Sequence, residues 1–233
     1  MKKKKIIILT GAGISAESGL QTFRDVDGLW MGYNIEDVAT PRGFAKDPAL
    51  VLDFYNKRRV DVAKALPNEA HKGLAELEKY FDVTIVTQNI DDLHERGGSS
   101  NVLHLHGEIF KMHSVGTPNE VLEIKGDIQV GDVGKDGTQL RPHIVWFEEQ
   151  VPMIEVAAAE MQKADIFILI GTSLQVYPAA GLITLLKAGV PKYIIDKKLP
   201  PISGIAKIIP MQGTATDGVA KLVKLLTANL PSP

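Results

Sequence analysis

Immediately after the apolar run Ile6 to Leu9 stand Gly11-Ala12-Gly13-Ile14-Ser15-Ala16, two glycines and a third small residue in the spacing of a dinucleotide-binding turn. Such a turn lets backbone N–H groups approach a pyrophosphate at a helix N-terminus, where the helix dipole favours negative charge. The acidic residue expected about 20 positions later for ribose contact is missing, because that region holds Gly28-Leu29-Trp30. A tight turn that binds nothing is the plainer alternative. Asn89 and Asp91 follow a second apolar run, Val83 to Val86, and Gly171-Thr172-Ser173 follow a third, Ile166 to Ile170. Amide, carboxylate and hydroxyl groups therefore gather at strand ends, where open α/β sheets bind ligands; for Asn89 and Asp91 the alternative is an ordinary turn. His106, just before Gly107, offers an imidazole whose ordinary pKa of about 6.5 suits proton removal near neutrality. His104 shares its strand face and is a rival, although a lone strand histidine is more often structural. Arg24 lies in the loop after the glycine turn, where a guanidinium reaches phosphate or simply stays solvated.

These groups act together only if a scaffold brings the strand ends to one edge. Ile6 to Leu9, Val83 to Val86, Ile166 to Ile170 and Tyr193 to Ile195 are apolar without alternation, the pattern of strands buried on both faces of a parallel sheet. Between them lie helical stripes, one capped by Asn68 and carrying Leu74, Leu77 and Phe81, the other capped by Asp217 and carrying Val219, Leu222, Val223 and Leu226. The expectation is an α/β fold, a doubly wound, Rossmann-like parallel sheet formed by 1–30, 67–110 and 141–233. Residues 31–66, with Pro41 and Pro48 as breakers, read as a helical insertion. Residues 111–140 read as a small β-rich insertion, in which Val121 to Ile124 and Ile128 to Val130 alternate like half-exposed strands.

Composition narrows the functions. With 26 Lys plus Arg against 28 Asp plus Glu, there is no field to collect nucleic acid or an anionic membrane. No cysteine is present, which excludes a disulfide framework, a thiolate metal site and a Cys nucleophile. The apolar stretch after Lys2 to Lys5 is too short for a signal peptide and nothing is long enough to span a bilayer, so a cytoplasmic protein is expected. Nothing reads as a coiled-coil heptad, and a monomer is favoured.

Four blocks in order resemble the sirtuins, the NAD-dependent protein lysine deacylases. They are Gly11 to Gly19 with Phe23-Arg24-Asp25 and Gly28-Leu29-Trp30; Thr87 to His94; Leu105-His106-Gly107; and Gly171-Thr172-Ser173 with Val176 to Ala180. The resemblance covers nearly the whole chain except about 111–140. It implies NAD as cofactor, held by Gly11, Ala12, Gly13, Ser15, Glu17, Phe23, Arg24, Gln88, Asn89, Ile90, Asp91, Gly171, Thr172, Ser173 and Ala215. Gln88, Asn89 and Asp91 would hold nicotinamide and its ribose, with Ile90 and Asp91 on the carboxamide, and His106, Asn89 and Asp91 would be catalytic. In the implied reaction the acyl-lysine carbonyl attacks the ribose as nicotinamide departs, and His106 deprotonates a ribose hydroxyl. The products would be lysine, nicotinamide and O-acyl-ADP-ribose. Asp196-Lys197 stand where the family usually has Asn near the adenine ribose.

The resemblance also implies that acyl-lysine proteins are the partners, with Val145-Trp146-Phe147 pairing with substrate as an added strand of loose sequence preference. Glu148 stands where the family commonly has Gly. Tyr55 and Arg58, three apart on one helix face, resemble the pair by which succinyl- and malonyl-removing sirtuins hold the acyl carboxylate, with Ala39 as the small residue widening the pocket. An exposed basic face with a packed Tyr is the alternative. Most sirtuins bind zinc through two Cys pairs in the segment matching 111–140; with His113 the lone imidazole there, a metal-free insertion is expected. Three other functions share parts of this pattern: a hydride-transferring dehydrogenase, a module binding NAD or ADP-ribose without turnover, and a protein ADP-ribosyltransferase.

Overall fold

The computed structural model describes residues 3–22, 29–30, 32–124, 126–202 and 204–231. Six parallel strands form the main sheet: β1 (Lys5–Thr10), β4 (Asp82–Thr87), β5 (Val102–His104), β9 (Ile166–Ile170), β10 (Lys192–Asp196) and β11 (Ile208–Gln212). Their order is β11-β10-β9-β1-β4-β5, the doubly wound arrangement in which the winding direction reverses between β1 and β9. Every residue from Ile6 to Thr10 is buried, with Ile6 and Ile8 facing one layer and Ile7 and Leu9 the other.

On the first face pack α4 (Glu69–Glu76) and α7 (Ala215–Thr227); on the second, α6 (Ile154–Met161) and the 3-10 segment Ala179–Leu185. Asn68 caps α4 as expected, with its side chain on the Ala70 N–H. Asp217 does not cap α7. Thr214 does, its hydroxyl accepting from the Asp217 N–H at 3.2 Å, which places Asp217 within the first turn. Val219 and Leu222 of α7 are fully buried, each stabilising the docked helix by about 1.5–3 kcal/mol.

A two-residue ribbon, β2 (Leu29–Trp30) with β3 (Tyr33–Asn34), leads into α1 (Ile35–Val38), α2 (Pro41–Lys46) and α3 (Pro48–Lys64). Pro41 and Pro48 begin α2 and α3, where a missing N–H costs nothing, with Thr40 and Asp47 as caps. A short helix, α5 (Leu93–Arg96), follows β4. The β-rich unit is the antiparallel sheet β7-β6-β8, of β6 (Gly107–Ser114), β7 (Thr117–Glu123) and β8 (Leu140–Ile144). Ile128 to Val130 form no strand. Ile128 is instead captured by α3: the Asn56 amide donates to its carbonyl at 3.0 Å and accepts from its N–H at 3.1 Å, while its side chain packs on Leu52.

Candidate active site

The turns after β1 and β9 interlock at the point where the winding reverses. Gly11 N–H donates to the Ile170 carbonyl at 3.0 Å and Gly13 N–H to the Gly171 carbonyl at 2.9 Å. The glycines therefore fix the first turn to the end of β9 and spend their own donors doing so. Gly171 needs its left-handed φ of 62° to make this bend.

Beside them, β4 ends in Gln88-Asn89-Ile90-Asp91. Ser15 lies between the Asn89 and Asp91 side chains: its hydroxyl accepts from Asn89 Nδ2 at 3.1 Å and donates to Asp91 Oδ2 at 3.0 Å. The Leu93 N–H reaches the other Asp91 oxygen at 3.2 Å. Burial pushes the Asp91 carboxyl up; the Leu93 N–H, the Ser15 hydroxyl and the Arg58 charge act against it. His104 is a brace: with its imidazole Nδ1 3.1 Å from the Asn89 carbonyl and Nε2 2.8 Å from Glu95, it holds the loop from beneath. Burial opposes its protonation, but Glu95 outweighs that and raises it.

His106 sits on the cleft wall with Nδ1 3.0 Å from the Gln88 carbonyl. A carbonyl only accepts, so the neutral ring carries its proton on Nδ1 and leaves the Nε2 lone pair available. Burial lowers its pKa, partly countered by that carbonyl, so the ring is neutral near pH 7. Gly107, at φ 78°, follows because a Cβ there would meet the His143 carbonyl at 2.1 Å.

The opposite wall comes from α3 and the segment after β8. Trp146 donates Nε1–H to the Tyr55 hydroxyl at 3.0 Å, and the rings stack. Arg141 lies over the Trp146 ring, 3.3 Å from its centroid, and pairs in two-pronged fashion with Glu149, which also takes the Trp146 N–H. Arg58 is buried over the Trp30 ring. Burial lowers its pKa, and Asp91 foremost opposes the shift. Together these walls enclose a cleft of about 850 Å³.

A family model described as the Sir2 family matches residues 11–178, which span both glycine turns, the Asn89 loop and His106. The chain belongs to the Sir2 family. It is 50% identical over 236 residues, 99% of this chain and 100% of the other, to a Bacteroides thetaiotaomicron protein named NAD-dependent protein deacylase. A Helicobacter pylori protein of the same name is 55% identical over 195 residues, covering 84% of this chain and 85% of its own length. A solved Sir2 homologue in complex with NAD superposes with a TM-score of 0.88 at 39% identity, covering 98% of this chain and 91% of that one.

For a Sir2 protein the sequence-predicted residues converge well. Gly11, Ala12, Gly13, Ser15, Gln88, Asn89, Ile90, Asp91, His106, Gly171, Thr172, Ser173, Ala215, Tyr55, Arg58, Val145, Trp146 and Phe147 all line the one cleft. Glu17 does not. Its carboxylate accepts from the Thr216 N–H at 3.0 Å and the Thr216 hydroxyl at 2.8 Å, tying the first turn to the start of α7. Phe23 and Arg24 lie outside the described residues. The N–H groups of Val145, Trp146 and Phe147 are donated to His106, Glu149 and Ala39 respectively, and the Trp146 carbonyl accepts from the Glu149 N–H at 3.2 Å, so much of this segment's backbone is already paired within the chain. Of the other cleft-wall residues, Trp30 stood in the sequence only as part of the family's opening block, and Gln175, Lys198 and Gly213 were given no role. Among these three only the Gly-Thr step before α7 carried a local signal.

The residues of the β-rich unit do not fit zinc. His113 and His143 stand with Nδ1 atoms 2.9 Å apart, but among the described residues no group of three or more His, Cys, Asp or Glu is placed to hold a metal, and Arg141 adds positive charge nearby.

Proposed function

We propose that this chain is an NAD-dependent protein lysine deacylase that removes acetyl and also succinyl or malonyl groups. The observation that carries the reading is His106: a neutral imidazole whose Nδ1–H is committed to the Gln88 carbonyl, on the wall of the cleft that holds Asn89, Asp91 and both glycine turns. NAD, when bound, would supply the ADP-ribosyl group that accepts the acyl group in exchange for nicotinamide, with one water consumed to free the lysine amine. The interlocked turns at Gly11 to Gly13 and Gly171 to Ser173 form the floor for its phosphates, and the N-terminal end of α7 brings Ala215 beside them. Asn89 and Asp91, pre-oriented by Ser15, hold nicotinamide and its ribose without having to reorganise during reaction. His106 takes a proton at Nε2, and the Gln88 carbonyl stabilises the imidazolium that results.

Tyr55, Trp146 and Ala39 shape the acyl end of the cleft and exclude water from it. Arg58, buried there with Asp91 the carboxylate that most opposes its loss of charge, is suited to an acyl chain that ends in a carboxylate. The reading carries with it acyl-lysine proteins as partners and a cytoplasmic location; among the described residues no helix is long and apolar enough to cross a membrane. Mass spectrometry of mixed acetyl-, succinyl- and malonyl-lysine peptides tests it. NAD-dependent loss of acyl groups with free nicotinamide is expected, and unchanged peptides with intact NAD would reject it.

A further inference from the structure

Beneath the Asn89 loop lie two imidazoles the chemistry above does not use. His94 on α5 and His71 on α4 are both fully buried, their rings edge to face at 5.0 Å. His94 Nε2 is 3.0 Å from the Thr10 hydroxyl, at the end of β1. The Thr10 hydroxyl donates to the Thr87 hydroxyl at 2.8 Å, and Thr87 Oγ1 also accepts from the Asn89 backbone N–H at 3.1 Å.

The proton directions in this chain are fixed. Thr10 has one hydroxyl hydrogen, already given to Thr87, so toward His94 it only accepts. Nε2 of His94 must then carry the ring proton. Burial holds His94 well below its ordinary pKa, and the neighbouring His71 and His104 act in the same direction, so the ring is neutral and keeps one tautomer.

We propose that His94 is a positioning residue for the reaction. Its N–H, through the hydroxyls of Thr10 and Thr87, sets where the Asn89 N–H sits above the ends of β1 and β4. Asn89 is thereby gripped on both sides, by this chain at its N–H and by His104 at its carbonyl. Its side chain is then delivered onto Ser15, and through Ser15 onto Asp91. An apolar residue at 94 would leave Thr10 without its donor in a buried site and let the loop settle elsewhere. The inference rests on Asn89 and Asp91 acting at the ribose.

The test compares His94→Leu, His94→Gln and Thr10→Val with the wild-type chain. With acetyl-lysine peptide and NAD, His94→Leu is expected to lower kcat about tenfold, the loss of roughly one oriented hydrogen bond, while ADP-ribose affinity, carried mainly by the glycine turns at its phosphates, falls by clearly less. His94→Gln, which keeps an N–H donor, recovers most of the rate. Thr10→Val repeats the loss, and the double variant adds little to it because both cut one chain. If His94→Leu does not fold, Thr10→Val carries the comparison. Wild-type kcat in His94→Leu or Thr10→Val, equal losses in kcat and ADP-ribose affinity, or losses that multiply in the double variant would overturn the proposal. Amide hydrogen exchange at Asn89 reads the same chain without turnover. Lost protection in His94→Leu and Thr10→Val supports positioning and unchanged protection refutes it, even if an inactive wild type rejects the deacylase reading.

Discussion

Gly13 and Gly171 touch so closely that a Cβ on Gly13 would lie 2.6 Å from the Gly171 Cα, and one on Gly171 would lie 2.6 Å from the Gly13 carbonyl carbon. Backbone cannot retreat from backbone here, since both turns end strands of one sheet. Gly13→Ala and Gly171→Ala are each expected to cost about 2–4 kcal/mol and to abolish ADP-ribose binding. Urea unfolding and calorimetric titration check this; a Gly171→Ala protein with unchanged midpoint and affinity would show that the interlock is unimportant.

His106 must be neutral to accept a proton, and burial lowers its pKa. The acid limb of kcat/KM is therefore expected below pH 6.5, with the rate rising as pH rises through the limb and flat above it. His106→Ala should lose about 100-fold or more in turnover yet bind ADP-ribose. A limb centred above pH 6.5 counts against this environment.

Arg58 and Tyr55 predict acyl choice. Arg58→Met should reduce kcat/KM for succinyl-lysine about 100-fold relative to acetyl-lysine, mostly through KM, with Tyr55→Phe changing the same ratio less. Comparable succinyl-lysine cleavage by wild type and Arg58→Met would remove the idea that Arg58 reads the acyl carboxylate.

Glu148 lines the cleft at φ 73°, a left-handed conformation that suits glycine, and its carboxylate pairs with the exposed Arg42. Glu148→Gly relieves about 1 kcal/mol of backbone strain, and the exposed pair it gives up contributes little. In melting temperature the Glu148→Gly protein is expected at or above wild type, with Glu148→Ala below both. A markedly less stable Glu148→Gly protein would mean that the Arg42 pair outweighs the strain.

Acid should unfold the protein partly through His71. Burial, followed by Arg96, lowers its pKa from 6.5 to about 4. The unfolded chain therefore binds the extra proton first, so the contribution is complete above pH 6.5 and is lost as pH falls toward 4, roughly 3 kcal/mol in all. Urea midpoints at pH 7.5, 6 and 5 measure the slope, and His71→Gln should flatten it. His113, also lowered to about 4 by burial, contributes in the same window. Equal midpoints at pH 7.5 and 5 would contradict both assignments.

The strands legible in the sequence were those buried on both faces. β1, β4, β9 and β10 announce themselves because no residue between two helical layers can be polar without a partner. β11 escaped notice as an edge strand for its exposed residues and Pro210, whereas short β5 was legible as the strand carrying His104; it ends there, so His106 lies in the bend before β6 and does not share a strand face with His104. Ile128 to Val130 alternated like a strand, yet the Asn56 side chain supplies the hydrogen bonds that a neighbouring strand would have given. Thr214 outcompeted Asp217 as a cap because only its hydroxyl lies before the first helical residue.

Residue types and their order along the chain determined the parallel sheet, the glycine turns and the chemical groups at the strand ends, because each follows from local burial or from the few residues a turn accepts. Which protons are available was decided by contacts between distant segments. Gln88 fixes the tautomer of His106, Ser15 joins Asn89 to Asp91, and β9 takes the N–H groups of Gly11 and Gly13. Hydrogen bonds are directional over about 3 Å, and one-dimensional spacing cannot say which groups the closed sheet brings within that reach.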